Sequence, residues 1–311
     1  MRLVASSVAA DALEVIARVP SLAATPRVVT ELPGGLTNRN YKVTTPDGAF
    51  VARLWAPETS GRLLAINREH EYRNSVIAAA AGVGAPVVEY RPQDRVLVLG
   101  FVSGVTLTST DVRDPANLPK IAAALRALHA APRFAGDFDM FEVQGRYRDA
   151  ARRAGAAVPG GYDDLAPAFA AARAALAAAP APTVPCHNDL LAANFIDAGE
   201  RVHLIDYEYS GNNDPCFELG NIAGESQFPG ETLAALVTAY YGRGSRAKIA
   251  RARLFTLVSQ YGWTLWGVLQ HASSPLDFDF WSWGMERFEA AAAGLTSRAF
   301  AQLLDDVQEG D

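Results

Sequence analysis

The chain is poor in cysteine, in lysine and in long apolar runs, and each shortage closes off a class of protein. Two cysteines in 311 residues, Cys186 and Cys216, supply neither a disulfide framework nor the paired spacing of a metal site. Lysine occurs three times, at Lys42, Lys120 and Lys248, beside 25 arginines. With 28 basic against 34 acidic residues the formal net charge is −6, which gives no electrostatic case for nucleic acid or for an anionic membrane. No apolar run reaches the ~20 residues of a membrane-spanning helix. The first residues lack the basic-then-apolar order of a secretory signal. The expectation is a cytoplasmic protein with no nucleic-acid and no membrane partner, its oligomeric state left open. What remains is an ordinary globular balance, 50% apolar and 20% charged, long enough for two lobes and a sizeable core.

Apolar alternation and turn residues divide the chain at about residue 100. Residues 9–18 are amphipathic and read as a helix. Residues 27–32, 40–45 and 49–54 read as strands, joined by Gly34-Gly35 and by Pro46-Asp47-Gly48. A helix is expected over 62–81, ending at Gly82, and further strands over 87–90 and 96–101. Beyond Gly104 the pattern turns helical, with helices expected at 115–130, 145–156, 162–179, 231–242, 246–270 and 284–307. Residues 180–185 form a proline-stiffened linker. The expected architecture is α+β: a sheet lobe over 1–99 with one long helix, a hinge at 100–104, and a helical lobe over 105–311.

The densest chemical signal lies between Cys186 and Asp206. In His187-Asn188-Asp189-Leu190-Leu191-Ala192-Ala193-Asn194, Asp189 can accept a proton from a hydroxyl nucleophile. Asn194 and Asp206 offer a neutral and an anionic oxygen to Mg²⁺, a hard cation. Residues 195–205 read as a hairpin around Asp197-Ala198-Gly199-Glu200, which would carry Asp206 back beside Asn194. The bland alternative is a buried hairpin with polar loop residues. The letters His-x-Asp-Leu-x-x-x-Asn match the catalytic loop of protein kinases, with Asn188 where those enzymes have Arg. Cys186 reads as a small buried hydrophobe.

A bilobal kinase architecture assigns the nucleotide side. Gly34-Gly35-Leu36-Thr37-Asn38 lies where such a fold has its phosphate loop, although the Gly-x-Gly-x-x-Gly form is missing. Gly35, Thr37 and Asn38 could still donate to phosphate oxygens, and a plain β-turn is the alternative. Arg53 stands in the third strand where kinases carry lysine. Its guanidinium can take the same role through a bidentate fork. Glu71 is its expected ion-pair partner and Glu69 the second choice. Leu99 and Phe101 flank the hinge on the nucleotide side.

A second cluster lies near the C-terminus. Trp263 and Trp266 fall on one face of a helix, and Phe278, Trp281 and Trp283 follow. Such stripes are ordinarily core. With Glu208, Tyr209 and Glu225 they could instead form an aromatic and acidic cage for a quaternary ammonium, held by cation–π contact and Coulomb attraction.

From about Leu32 to Phe288 these motifs together resemble the choline/ethanolamine kinase family, within the aminoglycoside-phosphotransferase-like kinases. They are Gly34–Asn38, Val51-Ala52-Arg53, His187–Asn194, Ile205–Tyr209, Asn221–Glu225, Trp263–Trp266 and Asp277–Phe280. The resemblance implies ATP- and Mg²⁺-dependent phosphorylation of choline, with Asp189 as base and Asn194 and Asp206 as metal ligands. It also implies a choline pocket lined by Tyr209, Glu225, Trp263, Trp266 and Trp283. The chain departs from the family at Glu218, usually Asp, at Trp283, commonly Tyr, and at Ala223, commonly a bulky aromatic. Ethanolamine, then thiamine or an aminoglycoside, are the rival substrates. An inactive nucleotide-binding pseudokinase is the non-enzymatic rival, and it predicts loss of Asp189, Asn194 or Asp206, all of which are present.

Overall fold

The computed structural model describes residues 8–55, 64 and 66–309. Helix α1 (Ala10–Ala17) is followed by strands β1 (Val28–Leu32), β2 (Asn38–Thr45) and β3 (Gly48–Trp55), helix α2 (Arg68–Ala80), and strands β4 (Val87–Arg91) and β5 (Val96–Gly100). The strands form one antiparallel sheet in the order β1-β2-β3-β5-β4. Alternation along β2 sends Tyr41 and Val43 to one face, where they pack with Ala52, Val96, Val98 and the apolar side of α1. That cluster is separate from the larger core below it.

The larger region is mainly helical. Strand β6 (Val105–Thr106) leads into helices α3 (Ser109–Arg113), α4 (Leu118–His129), α5 (Met140–Ala154) and α6 (Ala166–Ala178). Short strands β7 (Val184–Cys186), β8 (Phe195–Asp197), β9 (Val202–Leu204) and β10 (Gly211–Asn213) surround the catalytic-loop segment. Helices α7 (Pro215–Glu225), α8 (Gly230–Tyr241), α9 (Arg246–Ser273), α10 (Phe280–Leu295) and α11 (Phe300–Gln308) complete the chain. The 28-residue α9 is the spine against which α7 and α10 lie. Glycines allow the close approach. A Cβ on Gly220 of α7 would stand 2.3 Å from the carbonyl oxygen of Ala252, and one on Gly267 of α9 would stand 2.9 Å from Gly284 Cα and Phe280 O.

Several boundaries differ from expectation for local reasons. The helix expected from residue 62 starts at Arg68, because the Asn67 side chain accepts the N–H groups of Glu69 and His70, each at 3.1 Å; residues 62, 63 and 65 lie outside the described residues. Helix α5 starts earlier than expected, at Met140, behind the cap supplied by Asp139. The helix expected over 284–307 is two, broken between Leu295 and Phe300. Helix α7 was not expected. Asp214 caps it by accepting from Cys216 N at 2.8 Å, with Pro215 at the first helical position. Gly220 and Gly224 mask that signal, since glycine lowers helix propensity.

The glycine-only crossing of α9 and α10 generates a stability test. Gly267→Ala forces a methyl into backbone, and overpacking of this kind costs about 1–3 kcal/mol. Urea unfolding is expected to show that loss, and a variant as stable as the parent would refute the close crossing.

Candidate active site

The hairpin β8–β9 pairs Phe195 with Leu204, and Ile205 N donates to Asn194 O at 3.0 Å. Asp206 is thereby returned beside Asn194. Asp206 has a φ of +75° and Asn188 one of +68°, both in the left-handed region that non-glycine residues rarely occupy. Backbone strain of this sort persists where surrounding contacts over-determine it. Those contacts are dense around Asn188. Its amide donates toward the carbonyls of Cys186, Tyr209 and Gly211 at 3.1–3.3 Å and its Oδ1 accepts from Asn213. Asn188 therefore clasps the loop to β10 where protein kinases place Arg.

Helix α7 holds the loop from the other side. Glu218 accepts the Asn188 N–H at 2.6 Å and Asn221 accepts the Leu190 N–H at 2.7 Å, so i,i+3 acceptors catch the residues on either side of Asp189. His187 adds a third fixing point. Its Nε2 lies 2.7 Å from Ile205 O and its Nδ1 accepts from Asp189 N at 3.3 Å. That arrangement is the neutral tautomer, and burial lowers the pKa of the ring.

Among the described residues, no hydrogen bond reaches the Asp189 carboxylate. Burial, then the charges of Asp206, Glu225 and Glu208, push it well above the usual carboxylate range, against an opposing pull from Arg287. Asn194 donates its amide to Asp189 O at 2.8 Å, which leaves its Oδ1 as the atom available to a cation. This donor set fits Mg²⁺, which takes oxygen ligands.

Asp206 belongs to a buried charge cluster. Arg53, 4% exposed, pairs with Asp206 and with Glu208 at 3.0 Å, and its Nε stands 2.8 Å from Glu71 in a contact that is Coulombic rather than a directed hydrogen bond. Arg68 reaches Glu71 at 2.7 Å and Glu208 at 3.2 Å. Two guanidinium groups thus face three carboxylates. Burial alone would raise Asp206, but the charge and hydrogen bond of Arg53 hold it below its ordinary value. Glu208 is raised by burial and by its neighbour Asp206. The surplus negative charge has its outlet at Asp206, whose side chain is 25% exposed against 3% for Glu71 and 4% for Glu208. Glu69, the second choice of partner, instead pairs with Arg73 on the surface.

Glu208 was expected to face the amine. The structure places it between the sheet and the helices. Thr37 Oγ1 and Asn38 Nδ2 both donate to it at 2.7 Å. The same two bonds direct Thr37 and Asn38 at a carboxylate. Gly35 closes the turn, since a Cβ there would stand 2.0 Å from Asn38 O. Gln270 at the end of α9 donates to Leu36 O at 3.2 Å. Leu99 lies on β5 opposite Val51, and the Phe101 ring carries Lys42 Nζ at 3.9 Å from its centroid.

The aromatic residues converge. Trp266 Nε1 donates to Tyr209 Oη at 2.9 Å, and the rings of Tyr209 and Trp263 meet edge to face at 4.9 Å. Trp266 lies 4.9 Å from Trp283. Trp263 and Trp266 are buried in the core, as the core alternative expects. The buried indole N–H of Trp263 has no hydrogen-bond partner among the described residues. Phe278 is not drawn in: it is 42% exposed and touches the group through Phe280. Glu225 is paired with Arg287, whose guanidinium lies 3.2 Å from the Trp283 centroid. Arg287 escaped the sequence reading, although Trp283 and Arg287 have the i,i+4 spacing of helix neighbours.

Residues 28–255 match the model of the phosphotransferase enzyme family, and the chain belongs to that family. Within it the likeness is to choline and ethanolamine kinases. A choline/ethanolamine kinase family protein from Mesorhizobium loti superposes with a TM-score of 0.84 at 30% identity, covering 96% of this chain and 99% of the other. Choline kinase LicA of Streptococcus pneumoniae gives a TM-score of 0.74 at 27% identity, covering 86% and 92%. Ethanolamine kinase 2 of Mus musculus is 28% identical over 285 residues, 82% of this chain and 72% of the relative. The fold is that of the protein-kinase-like phosphotransferases, and the chain is a small-molecule kinase.

Arg53 gives the site its stability test. Replacing it by Met strands three buried carboxylates against Arg68 alone, a change of the kind that costs about 3–5 kcal/mol. Asp206, held low by Arg53, contributes stability above the unfolded carboxylate pKa of about 3.9 that is lost as pH falls through the folded value. Denaturant unfolding of Arg53→Met is therefore expected to show its full deficit from pH 7 down to about pH 4, with the gap narrowing only as pH falls below about 3.9. A pH-independent deficit would assign Arg53 to packing alone.

Proposed function

We propose that the chain transfers the γ-phosphoryl group of ATP to the hydroxyl of choline, giving phosphocholine. The observation that carries the reading is the Asp189 carboxylate. It lacks a hydrogen-bond partner among the described residues, has its pKa raised by burial and then by surrounding charge, and lies within electrostatic reach of Glu225 and Arg287 of the aromatic group. Asp189 accepts the hydroxyl proton as the nucleophile forms. Asn194 and Asp206 would hold Mg²⁺, which when bound supplies charge to offset the phosphate oxygens. The Gly34–Asn38 turn and Arg53 serve the phosphates, with Leu99 and Phe101 on the base side. Residues 1–99 and 105–311 act as two lobes about a hinge at 100–104. Most of the rate comes from positioning and charge, as in other phosphoryl transfers.

Choline is preferred over ethanolamine on the chemistry of the cage. Tyr209, Trp263, Trp266 and Trp283 offer ring faces and few acceptors, and a primary ammonium needs acceptors that these rings lack. Desolvated cation–π contact is worth ~2 kcal/mol, and each buried methyl ~0.8 kcal/mol. The likeness to mouse ethanolamine kinase 2 keeps ethanolamine as the second reading. A cytoplasmic location is part of the proposal; among the described residues no helix is long and apolar enough to cross a membrane.

ADP release measured against choline, ethanolamine, thiamine and kanamycin is expected to rank choline first, by about 100-fold in kcat/KM over ethanolamine, the two contributions above being partly offset by the hydrogen bonds ethanolamine can give Glu225. A higher value for any of the others defeats the choline assignment. Asp189→Asn is expected to lose about 10²–10⁴-fold in kcat, the range for a general base, with an unchanged Tm.

A further inference from the structure

The Trp283 face and the Glu225 carboxylate already hold a cation, and it belongs to the protein. Arg287 approaches the Trp283 ring at 3.2 Å from its centroid. It meets Glu225 through two nitrogens, with Nε at 3.2 Å, while Nη1 donates to Trp283 O at 3.0 Å. The Glu225 side chain is 3% exposed and that of Arg287 11%, so the pair is desolvated and the guanidinium is the member nearer to solvent. Each guanidinium nitrogen has an internal acceptor, and the charge is matched by Glu225. An anion receptor would leave that fork open. This geometry is instead that of a cation occupying a cation site.

We infer that Arg287 is a resident cation that is exchanged for the ammonium group of the substrate on Glu225 and Trp283, and that it sets how strongly a cation must bind to enter. The inference rests on the cationic amino alcohol reading above. Trp283 and Arg287 share α10, whereas Glu225 comes from α7, so the ion pair bridges two helices through the Arg287 side chain. Guanidinium is weakly hydrated and stacks on aromatic faces. A rival that also gives up little hydration and carries its own apolar surface displaces it best. Arg287 thus adds a penalty common to all amines, which quaternary ammonium overcomes more readily than primary ammonium.

The test separates binding from turnover. Tetramethylammonium has no hydroxyl and reports the cation position without chemistry. Removing the resident cation by Arg287→Gln is expected to tighten tetramethylammonium binding, followed by calorimetry, by about tenfold or more, and to lower the choline KM in parallel. The ATP KM is the internal reference. Arg287→Lys, which keeps the charge and loses the fork, is expected to shift the same way by less, and it carries the test if the glutamine variant does not fold. Weaker or unchanged tetramethylammonium binding in a folded variant overturns the inference and makes Arg287 a support for Glu225. If the parent enzyme phosphorylates none of the amino alcohols, the functional reading fails on its own while the binding comparison still decides the role of Arg287.

Discussion

Arg53 brings one positive charge into a space that also holds Glu71, Asp206 and Glu208. The carboxylates come from two distant parts of the chain, Glu71 from one and Asp206 and Glu208 from the other, and none is stable there without a cation. Glu71 ties the guanidinium to α2, Asp206 ties it to the end of the β8–β9 hairpin, and Glu208 ties it to the turn before β10. A single strand residue therefore fixes the sheet, its helix and the catalytic segment in mutual register. The cluster is not neutral, because Arg68 adds a second cation against three anions. Its surplus lies where Asp206 opens to the outside, so the electrostatics of the fold leave a negative outlet at the place where a hard cation and phosphate would meet.

Much of this fold was legible from residue patterns. Two-residue alternation and the Gly-Gly and Pro-Asp-Gly turns marked β1 to β3 within two residues, and the hairpin around Gly199 placed Asp206 beside Asn194. Such signals are local, and so is their cause. Helix α7 was illegible because Gly220 looks like a breaker. It is there to let Ala252 approach, a demand made by a helix more than 30 residues away. The split between α10 and α11 was missed because residues 295–300 contain neither proline nor glycine to mark a break. In the site, single residues with a chemical signature stood out. Their partners did not. Glu208 looked like a cage residue because it adjoins Tyr209, but the two lie in a turn and their side chains part. Its carboxylate goes to Thr37 and Asn38, about 170 positions away. The Glu225–Arg287 pair spans 62 positions and leaves no local trace.

Helix α9 converts packing into geometry at the site. Gly220 sets α7 against it, which aims Glu218 and Asn221 at the backbone around Asp189. Gly267 sets α10 against it, which brings Trp283 to 4.9 Å from Trp266. Both the segment around Asp189 and the aromatic group are therefore referenced to one rigid element. Backbone-to-backbone contacts cannot be repacked by rotamer changes, so the spacing between base and ring faces is held more tightly than side-chain packing would hold it.

The segment Asp206-Tyr207-Glu208-Tyr209 joins these elements over four residues. Asp206 faces Arg53, Glu208 takes the phosphate-loop side chains, and Tyr209 accepts from Trp266. Tyr207 turns inward against His187, its ring 4.8 Å away. The left-handed φ of Asp206 resets the alternation just before this run. Gln270 closes the circuit by reaching from α9 to Leu36 O in the same loop that Glu208 holds. A shift of the Gly34–Asn38 turn, as nucleotide phosphates compete for Thr37 and Asn38, would therefore release Glu208 and pull on Gln270 together. Glu208 is one bond from Tyr209, and Gln270 is one helical turn beyond Trp266. The Gly34–Asn38 turn and the aromatic group are thus joined through short connections on both sides.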